Sequence, residues 1–335
     1  MLFTNTIDLI LFLCFGFIFG MLTGFFGVGG GFLITPVLNI LGFPMVKAIG
    51  TSFAVIVVNT LVGAVKHYRL GNVDFRLGVL LGLVSIIGVE LGKRQVFYLE
   101  RLNLAGPYVR GAYIFVLFLI SILMLGEYYQ NIRPKKGRSN IEIKGMEEKK
   151  GALALWISRL KIPPTIFLSP SGADSISIWV ILATGVSVGF ISGFMGIGGG
   201  IIVVPLMIYV MGIPTMMAVG TSLISTFFAS SYGMIVYAIA GKAEWVSVLI
   251  ILAASVVGVQ VGVYATQYIP PMKIRFLFAL FPLFVALSVL LKQIEMVTAS
   301  TCLVGVSALI LSLIILLVTV RNRLAQPSSE RKHKI

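Results

Sequence analysis

Two glycine-rich stretches of nearly the same sequence, one in each half of the chain, contain the residues best suited to bind a ligand. GFFGVGGGFLITP occupies residues 24–36 and GFMGIGGGIIVVP occupies residues 193–205. Each glycine destabilises a helix interior by about 1 kcal/mol relative to alanine, so three adjacent glycines are expected to interrupt a helix. The apolar segment that follows each stretch spans about 12 residues, or about 18 Å, which is too short to cross a membrane alone.

A half-helix that starts inside a membrane is a natural anion site. Its first backbone N–H groups are unpaired and carry a partial positive charge, which attracts an anion or a dipolar oxygen in a low-dielectric setting. The alternative is that the glycines only allow close helix packing, which is the favoured interpretation for the isolated Gly88 and Gly92. We predict a substrate site at the glycines, with a proline marking a structural break in each half: Gly27, Gly29, Gly30, Gly31 and Pro36, then Gly196, Gly198, Gly199, Gly200 and Pro205.

A Gly-Thr-Ser motif lies early in the next apolar segment of each half. Hydroxyl groups can donate to a substrate oxygen without carrying a charge into the bilayer, so we add Thr51, Ser52, Thr221 and Ser222 to the predicted site. Alternatively, these hydroxyls bond back to the preceding turn or join neighbouring helices. The structural role is the favoured interpretation for the polar residues further along, Asn59, Thr60, Ser225 and Thr226.

Glu90 is the acidic residue placed deepest in an apolar run, and Gln260 occupies the matching position in the second half. A carboxylate inside a membrane is costly unless it is protonated or paired, which makes Glu90 a candidate for coupling transport to protons. Lys93 and Arg94 follow three and four residues later, so a simple ion pair near the membrane edge is the alternative.

Enzyme chemistry lacks the residues that it would need. The glycine stretches have neither the Gly-Lys-Ser/Thr of a phosphate-binding loop nor the spacing of a dinucleotide-binding turn. The chain has 2 His and 2 Cys, without metal-ligand spacing and without a paired nucleophile and base. We therefore expect no enzymatic activity, no cofactor and no metal ion.

The elements that must position these residues are transmembrane helices. Hydrophobic residues make up 58% of the chain and charged residues 11%, and apolar runs long enough to cross about 30 Å of hydrocarbon recur along it. The predicted fold class is all-α, a polytopic α-helical membrane protein whose N-terminal run is retained as the first span. Its apolar segments are placed at residues 8–26, 31–42, 46–65, 75–97, 105–126, 176–196, 201–212, 216–239, 245–267, 274–291 and 298–320.

The two halves are copies of one structural unit. Gly24 corresponds to Gly193 at an offset of 169 residues and, after a one-residue insertion, Gly50 corresponds to Gly220. A series of matches kept in order indicates an internal repeat of about five segments, each copy with one glycine-broken half-helix. The predicted organisation is a repeat 1 bundle (1–129), a basic linker (130–175) with an amphipathic turn near 153–160, a repeat 2 bundle (176–296), and a final span with a basic tail (297–335).

The charge distribution predicts the topology. The formal net charge of +14 is concentrated at segment ends, in the linker and in the tail, which indicates contact with membrane lipids and not with nucleic acid. We expect the protein to lie in the plasma membrane, and the positive-inside rule places its linker and C-terminus on the cytoplasmic side. Five segments then precede the linker and six follow it, so the two copies are expected to be inverted. Lys66, His67 and Arg69 are expected to mark a cytoplasmic edge.

The motifs resemble those of a known family. GFFGVGGGFLITPVL, its echo GFMGIGGGIIVVPLM, and AIGTS with AVGTS are similar to the TauE/SafE family of membrane permeases. The resemblance covers nearly the whole chain outside the linker and implies export of sulfite, sulfoacetate or related organosulfur anions across a prokaryotic plasma membrane. The long basic linker and the extra final span at 298–320 depart from the compact family pattern.

These observations together predict a secondary transporter that exports a small anion by alternating access. No ATP-binding motif is present, so the driving force would come from ion gradients or from the anion's own gradient. An anion channel built from the same breaks is one alternative. A membrane signalling or binding protein that uses the linker for docking is another, and association into a homo-oligomer is compatible with each.

Overall fold

The chain folds into a bundle of helices that the computed structural model describes over residues 6–132, 163–168 and 173–325. Within these ranges there are eleven helices and one short strand pair. The helices of the first half are α1 (Thr6–Phe26), α2 (Gly31–Ile40), α3 (Met45–Arg69), α4 (Phe75–Arg101) and α5 (Ala105–Ile132). Those of the second half are α6 (Ile178–Met195), α7 (Gly200–Tyr209), α8 (Thr215–Ile239), α9 (Trp245–Thr266), α10 (Pro271–Gln293) and α11 (Val297–Ala325).

The helices have the length and composition of membrane spans. Over the described ranges, eight of them are long and apolar enough to cross a bilayer. The shorter apolar helices are α2, α7 and the part of α1 that begins at Phe12. Helix α2 and helix α7 have 10 residues each, or about 15 Å at 1.5 Å per residue, so each reaches only half-way through the hydrocarbon. The prediction of a polytopic all-α membrane protein is confirmed.

A short hairpin precedes the second half. Strand β1 (Thr165–Leu168) pairs antiparallel with β2 (Ala173–Ser177), which runs directly into α6. Both strands fall at the end of the stretch that the sequence assigned to a linker, and this hairpin was not predicted. The predicted amphipathic turn at 153–160 and the end of the tail lie outside the described residues.

Matching helices are exchanged between the halves. Helix α1 packs along α9, and α6, its counterpart in the second half, packs along α4. Glycines at every fourth position of α1 lie against the backbone of α9, with Gly16 at Ile251 and Gly24 at Val259. The predicted packing role of Gly88 and Gly92 is confirmed, because both lie against the backbone of α6. Without side chains between them, the helices approach closely and gain dispersion energy over their length.

Helices α3 and α8, the third helices of the two halves, cross each other at the centre of the bundle. The ring of Phe53 in α3 packs on the ring of Tyr237 in α8, and Gly63 lies against Leu223. The position along α8 falls as the position along α3 rises, so the two helices run antiparallel. Both glycine stretches pack against this central pair of helices.

Candidate functional site

Each glycine stretch is a sharp interruption between two helices. Helix α1 ends at Phe26 and α2 begins at Gly31, and Gly27, Gly29 and Gly30 between them have φ angles of 73°, 74° and 82°. The second half repeats this geometry, with φ angles of 74°, 75° and 90° at the residues Gly196, Gly198 and Gly199. Residues with a Cβ rarely adopt these left-handed φ angles, so the backbone conformation of each break requires glycine at these positions.

The half-helices start at the breaks without a side-chain cap. Gly30 and Gly199 are the N-cap residues of α2 and α7, and neither helix has a hydrogen bond from its first turn to a capping side chain. Their first N–H groups therefore face the breaks. Pro36 and Pro205, which the sequence indicated as breaks, lie inside α2 and α7. Each half-helix continues past its proline, and the glycines alone interrupt the chain.

The two breaks meet at the centre of the bundle. A methyl group added to Gly31 would lie 2.6 Å from the carbonyl oxygen of Gly196, and one added to Gly200 would lie 2.5 Å from Cα of Val28. The uncapped ends of α2 and α7 are thus brought close together. The positive potentials of two such helix ends add at a point between them, which favours an anion there.

The space between the breaks is lined by α3 and α8. Methyl groups added at Gly29 and at Gly198 would each contact Cγ2 of Ile56 in α3 and the methyl carbon Cγ2 of Thr226 in α8, and the one at Gly198 would lie 2.9 Å from Oγ of Ser230. Ile56 and Thr226 occupy corresponding positions in the two halves, so they mark the centre of the pseudo-symmetric arrangement.

Two hydroxyls at this centre lack hydrogen-bond partners among the described residues. They are Oγ1 of Thr226 and Oγ of Ser230, whose residues are 1% and 0% exposed. A buried hydroxyl without a partner costs about 1–3 kcal/mol, which makes both groups available to a ligand. A structural role was predicted for Thr226, and Ser230 was not among the predicted site residues. Its offset of 170 residues from Thr60, the same as from Gly50 to Gly220, would have identified it.

Thr51 and Thr221 connect the two halves away from the breaks. The backbone N–H of Glu244 donates to Oγ1 of Thr51 at 3.0 Å, and that of Asp74 donates to Oγ1 of Thr221 at 2.9 Å. Asp74 and Glu244 are the N-cap residues of α4 and α9. Each threonine therefore holds the loop before the fourth helix of the other half, which is the contact expected of the structural alternative. Their predicted contact with substrate stays a prediction.

Ser52 and Ser222 lie beside the breaks of the opposite half. Oγ of Ser222 is 2.6 Å from the carbonyl oxygen of Gly27. Ser52 reaches the second break through Thr35, whose Oγ1 lies 2.7 Å from Oγ of Ser52 and 3.2 Å from the carbonyl oxygen of Gly196. Both serines thus support the backbone of a break, and their direct contact with substrate also stays a prediction.

Glu90 is held in a polar cluster on α4. Its carboxylate pairs with Lys93 at 2.6 Å and Arg94 at 2.8 Å, and accepts a hydrogen bond from Tyr232 at 2.8 Å. These are the contacts of the ion-pair alternative. Gln260 at the matching position is exposed on α9. The structure does not bring the two candidates for coupling together, and the coupling role stays a prediction.

His67 is buried, although the sequence placed it at a membrane edge. Its Nε2 lies 3.1 Å from the carbonyl oxygen of Gly24, and the hydroxyl of Tyr237, its counterpart, donates to the carbonyl oxygen of Gly193 at 2.8 Å. Both side chains bind the last turn before a break, where a close helix crossing shields them from water. Among the residues with described positions, no group of three or more His, Cys, Asp or Glu side chains could hold a metal ion.

Comparison with known families identifies the chain. Residues 12–289 match the model of the family described as sulfite exporter TauE/SafE. The chain belongs to the TauE/SafE family. This is a family of membrane transporters and not a class of enzymes, so the protein is a multi-span membrane transporter. The predicted membership of the TauE/SafE family is confirmed, and so is the prediction that the protein is not an enzyme.

Relatives of this TauE/SafE member are named as transporters. Probable membrane transporter protein YdhB of Bacillus subtilis is 25% identical over 77% of this chain and 91% of its own length. YunE of the same organism, also a probable membrane transporter protein, is 27% identical over 74% of this chain and 84% of its own. A probable membrane transporter protein of Methanocaldococcus jannaschii is 27% identical over 57% of this chain, and the match spans 58% of that relative. No solved structure matches the chain.

Proposed function

We propose that this TauE/SafE member is a secondary transporter that exports a small oxyanion such as sulfite or an organosulfonate across the plasma membrane. The observation that carries the proposal is the meeting of two uncapped half-helix ends beside two buried hydroxyls without partners, those of Thr226 and Ser230. Amide N–H groups and hydroxyls are donors that can replace the water around an oxyanion.

Alternating access is proposed from the arrangement of the halves. The antiparallel crossing of α3 and α8 supports a pseudo-two-fold axis in the membrane plane, which is the geometry of inverted repeats. In this state both breaks are enclosed, because every residue of 27–31 and 196–200 is buried. Substrate would reach the centre when one half moves against the other.

Export follows from the charge of the cargo. A membrane potential acts on each elementary charge with about 2.3 kcal/mol per 100 mV, so an inside-negative potential favours the exit of an anion. A passive carrier for a divalent oxyanion would therefore already run outward in a respiring cell. The linker and C-terminus are placed on the cytoplasmic side in this proposal.

The proposal is tested by flux measurements in proteoliposomes. The panel contains sulfite, sulfate, thiosulfate, sulfoacetate and taurine, each with and without a proton gradient, beside liposomes that lack protein. Saturable flux of a sulfur oxyanion with accelerated exchange under counterflow is the expected result. Unitary conductance steps would favour a channel instead, and equal leakage with and without protein for every anion would reject the proposed function.

A further inference from the structure

A cleft at one end of the bundle lies between α2, α5 and α10. It is a shallow cleft that opens to solvent, with about 200 Å³ of space in and at its mouth, and its lining includes Asn39, Arg110, Tyr113 and Lys292. Asn39 is near the end of α2, Arg110 near the start of α5 and Lys292 near the end of α10. We call this cleft the vestibule. Its walls bring two cationic side chains together at the bundle surface.

The two cations of the vestibule have no carboxylate partner among the described residues. Nε of Arg110 donates to Oε1 of Gln293 at 2.5 Å and Nη1 lies 3.4 Å from Oδ1 of Asn39, so both of its contacts are neutral amides. Within the part of the chain that the structure describes, neither Arg110 nor Lys292 forms an ion pair with a carboxylate. A half-buried guanidinium without a counter-charge is costly, and an anion would relieve that cost.

The vestibule is connected to the glycine breaks by one side chain. Tyr113 lines the cleft and is 1% exposed, and its hydroxyl donates to the carbonyl oxygen of Met195 at 2.9 Å and lies 3.4 Å from that of Gly31. Met195 is the last residue before the second break and Gly31 the first after the first break. Tyr113 therefore separates the vestibule from the glycine breaks and contacts both.

The opposite end of the bundle has the same framework with a different charge. Helices α5 and α10 are antiparallel, and each has an arginine that is followed 17 residues later by a charged residue: Arg110 by Glu127, and Arg275 by Lys292. At the second end, Arg275 interacts electrostatically with Glu127 and donates to Oγ1 of Thr215 at 2.6 Å. One end thus combines two cations, while the other combines a cation with a carboxylate.

We infer that the vestibule is a second oxyanion site, which binds a small sulfur oxyanion between Arg110 and Lys292 on its way to or from the central breaks. This inference rests on the proposed function and adds to it a second, low-affinity binding site on one side of the membrane. In the proposed topology the vestibule opens away from the linker and the tail, on the outer face. It would receive the exported anion before release into the medium.

The test compares vestibule variants with a cation at the same end of the bundle. Arg110→Gln and Lys292→Gln each remove one charge, Arg110→Lys retains it, and Lys47→Gln removes an exposed charge near the start of α3 that does not line the cleft. Sulfite uptake is measured in right-side-out and inside-out membrane vesicles. For each Gln variant we expect KM on the vestibule side to rise about tenfold, with kcat from that side close to wild type. On the opposite side KM should stay close to wild type while kcat falls by the same factor, because a substitution cannot change the overall transport equilibrium.

Folding and the identity of the occupant are controlled in the same series. Arg110→Lys and Lys47→Gln should retain wild-type KM, and all variants should elute as a single peak in detergent. The measurement is repeated in proteoliposomes of phosphatidylcholine alone and with added phosphatidylglycerol. A KM change confined to the anionic lipid would make a lipid phosphate the occupant and overturn the inference.

The remaining outcomes separate the vestibule from the transport function. Unchanged KM on both sides in Arg110→Gln and Lys292→Gln, with wild-type flux intact, would overturn the vestibule site and leave the proposed function standing. Absence of sulfur-oxyanion flux in the wild type would reject the proposed function and the vestibule with it.

Discussion

Oγ of Ser222 lies 2.6 Å from the carbonyl oxygen of Gly27, so a serine of the second half supports the helix break of the first. The two residues are 195 positions apart in the chain. The contact joins α8, one of the two central crossing helices, to the backbone where α1 stops. A displacement of one half against the other would therefore change the support of the break directly.

Ser222→Ala should destabilise the protein by about 1–3 kcal/mol, because the buried carbonyl of Gly27 loses its donor. The matched control is Ser52→Ala, its counterpart in the first half. Each serine Oγ lies 2.8 Å from a carbonyl oxygen of its own helix, Ala48 for Ser52 and Val219 for Ser222, but at the break of the second half Thr35 remains free to donate to Gly196. Thermal unfolding in detergent should show a larger loss for Ser222→Ala than for Ser52→Ala. Equal losses would show that the contact with Gly27 adds no stability.

Thr226→Val and Ser230→Ala remove the two hydroxyls without partners and should separate stability from transport. Replacing an unpaired buried hydroxyl with an apolar group of similar shape is nearly neutral or stabilising for the fold. Anion flux should fall at least tenfold if each hydroxyl donates to the substrate with about 1.4 kcal/mol of its binding energy. Unfolding temperature and proteoliposome flux are measured on the same preparations, and wild-type flux in both variants would exclude them from the site.

Gly30→Ala should abolish transport, while Gly42→Ala should not. Both glycines have positive φ angles, 82° and 98°, so both substitutions introduce backbone strain of about 1–2 kcal/mol. At Gly42 an added methyl group meets open space, whereas at Gly30 it meets Oγ1 of Thr23 beside the start of α2. The difference in flux between these variants measures the effect of the break itself. A similar loss of flux in both would attribute the effect to strain alone.

Glu90→Gln tests the coupling role that the sequence suggested. The pairs with Lys93 and Arg94 and the bond from Tyr232 favour an ion-pair role, and a partly exposed pair contributes about 1 kcal/mol or less. We expect a small loss of stability and an unchanged dependence of flux on the proton gradient. A flux that no longer responds to the gradient would assign the coupling proton to Glu90.

The helices and their interruptions could be predicted because they depend on local chemistry. Apolar runs of membrane length set the ends of α3, α4, α8 and α9 within a few residues, and adjacent glycines set the breaks. The hairpin at 165–177 has no comparable signal, since its strands are only four and five residues long and follow a polar stretch. Which apolar helix packs against which is also not encoded locally, so the exchange of α1 and α6 between the halves required the structure.

The two backbone breaks were predicted from the sequence, whereas the side-chain contacts around them were not. Left-handed backbone at the glycines follows from their lack of Cβ, and this placed both breaks correctly. A hydroxyl in a membrane helix has two uses that look alike in sequence, a bond to the preceding turn or a bond to a ligand. Thr60 bonds to the carbonyl of Ile56 in its own helix, while Ser230, its counterpart, has no partner among the described residues and faces Gly198. Only the packing around each residue separates these cases.

Anion binding at the two breaks can be observed in a crystal structure determined with selenite, which has the pyramidal shape of sulfite and a strong anomalous signal. We expect an anomalous peak between the starts of α2 and α7, within hydrogen-bond distance of backbone N–H groups at Gly31 or Gly200 and of Oγ of Ser230. Competition of selenite with sulfite in the flux assay establishes that the same site is observed. A peak elsewhere in the bundle, with the two breaks empty in a protein whose sulfite flux selenite inhibits, would contradict it.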